Sequence, residues 1–120
     1  TPTRDLNYVT DICEGFIALA KCGEALGREV NIGSGSEISV GDLATLIMKL
    51  SGSDARIVSD DMRRRPEKSE VERLVCDNSL IKSLTGWSPA VSLKDGLSMT
   101  IEWFKDKKNI SGYKNDIYNV

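Results

Sequence analysis

The chain has 120 residues, of which 40% are hydrophobic and 28% are charged. A chain of this length can bury a core without disulfides or metal ions, and its hydrophobic share is too high for a disordered protein. Its 16 lysines and arginines against 18 aspartates and glutamates give a net charge of -2, which predicts no binding of nucleic acid or of a membrane surface. Because no apolar run reaches the about 20 residues of a membrane span and no signal peptide is found, we expect a soluble cytoplasmic protein.

Histidine is absent, so the chain lacks the usual general base and metal ligand at neutral pH. Its three cysteines, Cys13, Cys22 and Cys76, show neither a C-x-x-C pair nor the spacing of a zinc site. We interpret them as buried free thiols in a reducing compartment, and we predict no metal site. The chain starts with Thr1 rather than methionine, from which we expect a piece of a longer protein.

The first predicted elements are a helix and a strand. Apolar residues recur at helical spacing over about 11–22, after Thr10 as the candidate N-cap. The segment 28–32 is typical of a buried strand and runs into Gly33-Ser34-Gly35. A glycine-rich turn in this place can bind a dinucleotide, but Ile38 occupies the third small position of that fingerprint. We therefore interpret the segment as a plain turn and predict no cofactor-binding residue.

The middle of the chain contains the clearest amphipathic helix. Ser39 and Asp42 form a capping box, and Gly52 ends the apolar pattern. The segment 55–59 predicts a second strand. A charged stretch over 60–73 lacks an apolar period, which predicts a loop.

This predicted loop contains the cluster Arg63-Arg64-Arg65. Between Arg56 and Arg73 there are six basic and five acidic residues, so the net charge is too small to attract a polyanion. A solvated loop of mixed charge is the simplest interpretation. In the functional alternative, one of the arginines clamps a small diphosphate with its planar guanidinium.

The last predicted elements are a short strand over 73–76, a helix over 79–86 that ends at a glycine, and a capped helix that begins at Ser92. About four helices and three short strands predict an α/β lobe over 1–108, followed by a polar tail over 109–120. Strands so short and few make a small sheet. We therefore expect a larger neighbour that completes it.

Five blocks of the sequence, taken in order, resemble one family. The blocks are RDLNYVTD (4–11), VNIGSGSEISVGDLATLI (30–47), RPEKSEVERLVCDNS (65–79), TGWSPAVSLKDGL (85–97) and TIEWF (100–104). They are similar to the C-terminal part of the extended short-chain dehydrogenase/reductases that act on nucleotide sugars. The resemblance implies a Rossmann-fold enzyme whose N-terminal half binds NAD and carries a catalytic Tyr-x-x-x-Lys pair. Since neither feature occurs here, we expect a substrate-binding lobe that by itself is inactive and does not bind NAD.

The resemblance also implies roles for individual residues. Arg4 matches the arginine of the R-D-aromatic block, which contacts the diphosphate or the nucleotide, although Leu6 stands at the aromatic position. Arg65 matches the arginine that holds the phosphates, and Glu70 falls near an acidic residue that meets the ribose. Asn31 matches a polar position near the substrate, with hydrogen bonding inside the strand-turn corner as the alternative. No catalytic residue is predicted in this chain.

Several reactions and partners agree with this resemblance. Bacterial nucleotide-sugar 4,6-dehydratases of the legionaminic-acid type are the favoured subfamily, ahead of 4-epimerases, decarboxylases and reductases. The expected partners are a nucleotide diphosphate sugar and the N-terminal half of the same chain, in a parent protein that forms a homodimer. The alternative of another class is a stand-alone binding module without catalysis.

Overall fold

The computed structural model describes residues 2–58 and 71–113. Their elements in chain order are β1 (Thr3–Arg4), α1 (Val9–Ala20), a 3-10 turn (Gly23–Ala25), β2 (Ile38–Ser39), α2 (Val40–Ser51), β3 (Arg73–Leu74), α3 (Ser79–Thr85), α4 (Leu93–Lys105) and α5 (Lys107–Ile110). The predicted α/β lobe is confirmed. In this part of the chain no helix is long and apolar enough to cross a membrane.

The sheet has the strand order β2-β1-β3, so the strand nearest the N-terminus lies at its centre. β1 runs antiparallel to β2 and parallel to β3. In this register Thr3 faces Ser39 on one side and Arg73 on the other. Each strand is two residues long, so the sheet joins three distant segments with very little backbone pairing.

Two of the predicted strands are wrong. Neither 28–32 nor the described residues 55–58 form a strand, and 59–70 lies outside the described residues. β-branched side chains favour extended backbone, but a strand also needs a partner, and no described segment pairs with 28–32. The third prediction, over 73–76, is confirmed in part by β3.

The predicted helix ends are mostly correct. The Ser39 hydroxyl accepts the N–H of Asp42 at 3.0 Å, and that of Ser92 accepts the N–H of Asp95 at 3.1 Å. Gly52 ends α2 with a φ of 65°, in the left-handed region that glycine adopts without strain. These signals hold because a capping bond joins residues only three positions apart.

The start of α1 differs from the prediction. The helix begins at Val9 with Tyr8 as its N-cap, and Tyr8 makes no side-chain capping bond. Thr10, the predicted N-cap, therefore lies inside the first turn. Asp11, the acidic residue of this turn, does not cap the helix. Its carboxylate bonds to a distant segment of the chain.

Asp11 fastens α1 to the loop that precedes α4. Only 5% of the residue is exposed, and its carboxylate accepts the N–H of Ala90 at 3.1 Å and that of Val91 at 3.0 Å. Its backbone carbonyl accepts the indole N–H of Trp87 at 3.2 Å. Three hydrogen bonds thus join residues almost 80 positions apart.

The apolar core is small. Among the described large apolar side chains, only Ile81 and Trp87 are buried. Gly15 brings α1 close to this core, since a Cβ there would lie 3.5 Å from Cε2 of Trp87 and 2.8 Å from Cγ2 of the neighbouring Ile32. The predicted burial of the cysteines is wrong for Cys13, which is exposed on α1, while Cys22 and Cys76 are half-buried.

We expect Asp11→Ala to lower the free energy of unfolding by about 2 to 4 kcal/mol, because the N–H groups of Ala90 and Val91 lose their acceptor. Urea unfolding measures the change. The matched control is Glu14→Ala on the same helix, which removes an exposed carboxylate and should change stability by less than about 0.5 kcal/mol. Equal effects of the two changes would contradict this role of Asp11.

Candidate functional site

The carboxylate of Asp5 joins three segments of the chain. One oxygen accepts the hydroxyl of Ser34 at 2.5 Å and the N–H of the same residue at 3.2 Å. The other oxygen accepts the N–H of Gly35 at 2.9 Å and that of Cys76 at 3.1 Å. We call Asp5, Ser34, Gly35 and Cys76 the Asp5 corner.

Asn78 holds the residue that precedes Ser34 in the Asp5 corner. The residue is 7% exposed, and its side-chain N–H donates to the carbonyl of Gly33 at 2.8 Å. A Cβ at Gly33 would overlap the side chain of Cys76, and Gly35 has a φ of 74°. Both glycines are therefore required by the packing and shape of the turn.

The plain-turn interpretation of this segment agrees with these contacts. A phosphate-binding loop presents free backbone N–H groups to its anion. Here the N–H groups of Ser34 and Gly35 donate to Asp5. The turn binds a carboxylate of its own chain and does not fit the phosphates of a dinucleotide.

The electrostatics of the Asp5 corner follow from its geometry. Partial burial opposes ionisation of Asp5, but hydrogen bonds from Ser34, Cys76 and Gly35 outweigh it and hold the pKa of the carboxyl below its ordinary value. Burial, together with the charges of Asp5 and Asp77, raises the pKa of the Cys76 thiol. The Cys76 thiol is therefore protonated at neutral pH, and its side chain lies against Gly33.

An open groove of about 350 Å³ lies beside the Asp5 corner. It is lined by Asp5, Asn31, Ile32, Leu74, Val75, Cys76 and Asp77. Asn31 is exposed in this groove. Within the described residues its side chain makes no hydrogen bond, so Asp5 and Asn78, rather than Asn31, hold the strand-turn corner.

Arg4 precedes the corner and lies half-buried in β1. Its Nη1 donates to the carbonyls of Thr3 and Val71, both at 2.7 Å. Glu70 and Arg65 lie outside the described residues, one and six positions before Val71. Arg4 therefore contacts Val71, the first described residue after the stretch of sequence that carries both.

The sequence interpretation missed Asp5 as an organising residue. Asp5 was noted only as the neighbour of Arg4 in the R-D block, and its partners lie 29, 30 and 71 positions further along the chain. No local spacing indicates such contacts. The same is true of Asn78, which stands at the N-cap of α3 but makes no side-chain capping bond there and bonds to Gly33 instead.

The sequence of this chain matches a known family. The family model described as GDP-mannose 4,6 dehydratase matches residues 1–100. The chain therefore belongs to this family of extended short-chain dehydrogenase/reductases, as its sequence blocks predicted.

Curated relatives agree with this assignment. GDP-L-fucose synthase 1 of Arabidopsis thaliana is 35% identical over 104 residues, which cover 87% of this chain and 30% of the relative. UDP-glucuronate 4-epimerase of Thermodesulfobacterium geofontis is 32% identical over 108 residues, or 88% of this chain and 31% of the relative. The chain thus spans less than a third of either protein.

Solved structures share the fold. An epimerase of Methanothermobacter thermautotrophicus superposes with a TM-score of 0.80 at 32% identity, over 90% of this chain and 31% of that one. The UDP-glucose 4-epimerase of Thermotoga maritima, solved with UDP-glucose, gives 0.76 at 31% identity over 87% and 32%. A Bordetella bronchiseptica enzyme in complex with NAD+ and UDP gives 0.69 at 33% identity over 91% and 30%.

The lowered pKa of Asp5 predicts how stability depends on pH. The Asp5 corner stabilises the protein fully above the unfolded-state pKa near 4, and this contribution is lost as the pH falls through the lower folded-state value. Asp5→Asn should cost about 2 to 3 kcal/mol at pH 7 and should flatten the loss of stability below about pH 4.

Urea unfolding between pH 3 and pH 7 measures this difference. The matched control is Asp54→Asn, an exposed carboxylate outside the corner, which should leave the pH dependence unchanged. If the free energy of unfolding changes with pH in the same way in wild type and Asp5→Asn, ionisation of Asp5 does not cause the pH dependence.

Proposed function

We propose that this chain is the substrate-binding part of an NAD-dependent nucleotide-sugar 4,6-dehydratase of the legionaminic-acid type. The observation that carries the proposal is the contact of Arg4 with Val71, at the end of the segment that contains Arg65. The groove with Asn31 lies beside the same end of β1. Membership of a nucleotide-sugar enzyme family supports the choice of ligand.

The proposed ligand explains why arginines are needed here. A diphosphate carries about two negative charges, which lose much of their water in a cleft. Planar guanidinium groups replace that water with paired, charge-assisted hydrogen bonds. In the proposal Arg4 and Arg65 take the diphosphate, Glu70 takes the ribose, and Asn31 faces the sugar.

The chemical steps belong to parts of the enzyme outside these residues. The turn at Gly33 does not fit NAD, because its N–H groups are bonded to Asp5. NAD would supply oxidation at C4 of the sugar from its site in the other half of the parent protein. The role of this chain is to bind and orient the substrate.

Two alternatives would use the same substrate site. A 4-epimerase is supported by epimerases among the relatives and the solved structures. A stand-alone module would bind the nucleotide sugar without turnover. Incubating the complete protein with NAD and several nucleotide sugars separates the three. The dehydratase forms a 4-keto-6-deoxy sugar, the epimerase forms the C4 epimer, and the module leaves the sugar unchanged.

We expect Arg4→Ala and Arg65→Ala each to weaken substrate binding by about 10- to 150-fold, the equivalent of about 1.5 to 3 kcal/mol for a bond to a charged group. Because the contact is made equally before and during the reaction, the loss should raise KM and leave kcat nearly unchanged. Steady-state kinetics of the complete enzyme measure both constants.

The controls are Arg63→Ala and Arg64→Ala, neighbours of Arg65 that we interpret as solvated. Each should change KM by less than about threefold. If a control variant loses as much affinity as Arg65→Ala, the diphosphate role has been given to the wrong arginine.

We further infer that an apolar face of α1 packs against another part of the same parent protein. Val9 and Phe16 are each 64% exposed, and Ile17 and Leu26 are 45% and 83% exposed. An open groove of about 350 Å³ lies between this helix and the segment that follows it. Contiguous apolar surface of this kind marks an interface. The homodimer proposed for the parent protein would use helices outside this chain.

If this inference is correct, the 120-residue chain should self-associate through the exposed face. Val9→Ser combined with Phe16→Ser should shift it toward the monomer, because apolar surface drives the contact. Sedimentation at increasing concentration measures the shift, with Ile57→Ser as a control at a site 67% exposed outside α1. A wild-type chain that stays monomeric at high concentration would contradict the interface.

A further inference from the structure

The side chains of Thr3, Glu37 and Arg73 form a hydrogen-bonded cluster across the sheet. The hydroxyl of Thr3 donates to Oε2 of Glu37 at 2.6 Å. Arg73 donates from Nε to both carboxylate oxygens, at 2.9 and 3.0 Å, and its Nη2 lies 2.8 Å from Oε1. Since Glu37 directly precedes β2, one carboxylate joins all three strands. We call these three residues the sheet clamp.

Glu37 and Arg73 each favour the charged form of the other. Hydrogen bonds from Arg73 and then from Thr3 lower the pKa of Glu37, and its carboxylate in turn raises the pKa of Arg73. The Arg73 side chain nevertheless remains 71% exposed. Exposed ion pairs contribute little to the free energy of unfolding, whereas bidentate geometry fixes direction well. The sheet clamp is therefore better suited to set a geometry than to stabilise the fold.

The backbone pairing beside the sheet clamp is short. Between β1 and β3, the N–H of Thr3 donates to the Glu72 carbonyl at 2.8 Å and that of Asp5 to the Leu74 carbonyl at 3.0 Å. So few backbone bonds specify the register weakly, and the Asp5 corner adds a bond to Cys76 only beyond the C-terminal end of β3. A slip by one residue moves every side chain of a strand to the opposite face. The observed register is the one that brings the Arg73 guanidinium to the clamp carboxylate.

The register of β3 also decides what Arg4 contacts. The Val71 carbonyl that accepts from Arg4 lies two positions before Arg73 in the same segment. A slip by one residue would displace that carbonyl by about 3.3 Å, the rise of one strand residue. The contact at 2.7 Å would then be lost.

We propose that Glu37 is a positioning residue, which fixes the register of β3 through Arg73 and so holds Arg4 where it meets the substrate diphosphate. The inference rests on the proposed function, since it takes Arg4 as a diphosphate ligand. Glu37 itself touches neither the substrate nor the reacting atoms. Its effect on binding should exceed its effect on stability.

The test uses the complete protein that contains this chain, with UDP and GDP as calorimetric probes. Glu37→Ala should weaken the tighter of the two by about three- to tenfold. The thermal midpoint should stay within about 2 °C of wild type, because an exposed pair is removed. The matched control is Glu102→Ala, which removes the exposed pair with Lys105 in α4 and should bind like wild type.

A charge exchange and hydrogen exchange distinguish positioning from other effects. Glu37→Arg combined with Arg73→Glu restores an ion pair between the same two positions and should return the affinity to within about threefold of wild type. The amides of Thr3 and Asp5 donate across to β3, so they should exchange faster in Glu37→Ala and recover in the exchanged protein.

The outcomes separate this inference from the proposed function. If Glu37→Ala binds as tightly as wild type, the inference is wrong and the proposed function stands. Lost affinity with unchanged exchange at Thr3 and Asp5 also overturns it, because Glu37 would then act on the ligand directly. If Glu37→Ala does not fold, the charge-exchanged protein decides, and a loss above about tenfold overturns the inference. Wild-type protein that binds neither nucleotide overturns the proposed function and this inference together.

Discussion

The carboxylate of Asp5 is the interaction on which the rest of this lobe depends. It accepts four hydrogen bonds from two segments that are not otherwise held by regular secondary structure at this place. Bonds to an ionised acceptor are stronger than neutral ones, so one side chain can order two loops at once. The end of β1, the turn at Gly33 and the chain after β3 are thereby brought to one point.

A second aspartate, Asp11, also joins distant segments by accepting backbone N–H groups. Asp11 accepts two backbone N–H groups from the loop before α4, just as Asp5 accepts those of the turn. Neither carboxylate needs a cation, because backbone donors supply the compensation. Fully buried apolar side chains are scarce among the described residues, with Ile81 the largest. Asp5 and Asp11, which bond to backbone N–H groups, therefore join distant segments of this lobe.

The proposed substrate-binding residues Arg4 and Asn31 lie near Asp5, Arg4 as its chain neighbour in the central strand and Asn31 in the groove that Asp5 lines. These two residues are 27 positions apart in the sequence. The geometry of a substrate site built in this way depends on loop contacts and on strand register. In our proposal, the site is therefore sensitive to Glu37, which does not touch the ligand.

Local chemistry was sufficient to predict much of the fold from the sequence alone. Ser39 and Ser92 fix where α2 and α4 begin, and Gly86 fixes where α3 ends, because capping bonds join near neighbours. The family could also be predicted, since its blocks keep their order. Only the tertiary structure placed β1 at the centre of the sheet and joined Asp5 to Cys76. Two-residue strands and a lone aspartate carry no local signal, because their partners lie tens of residues away.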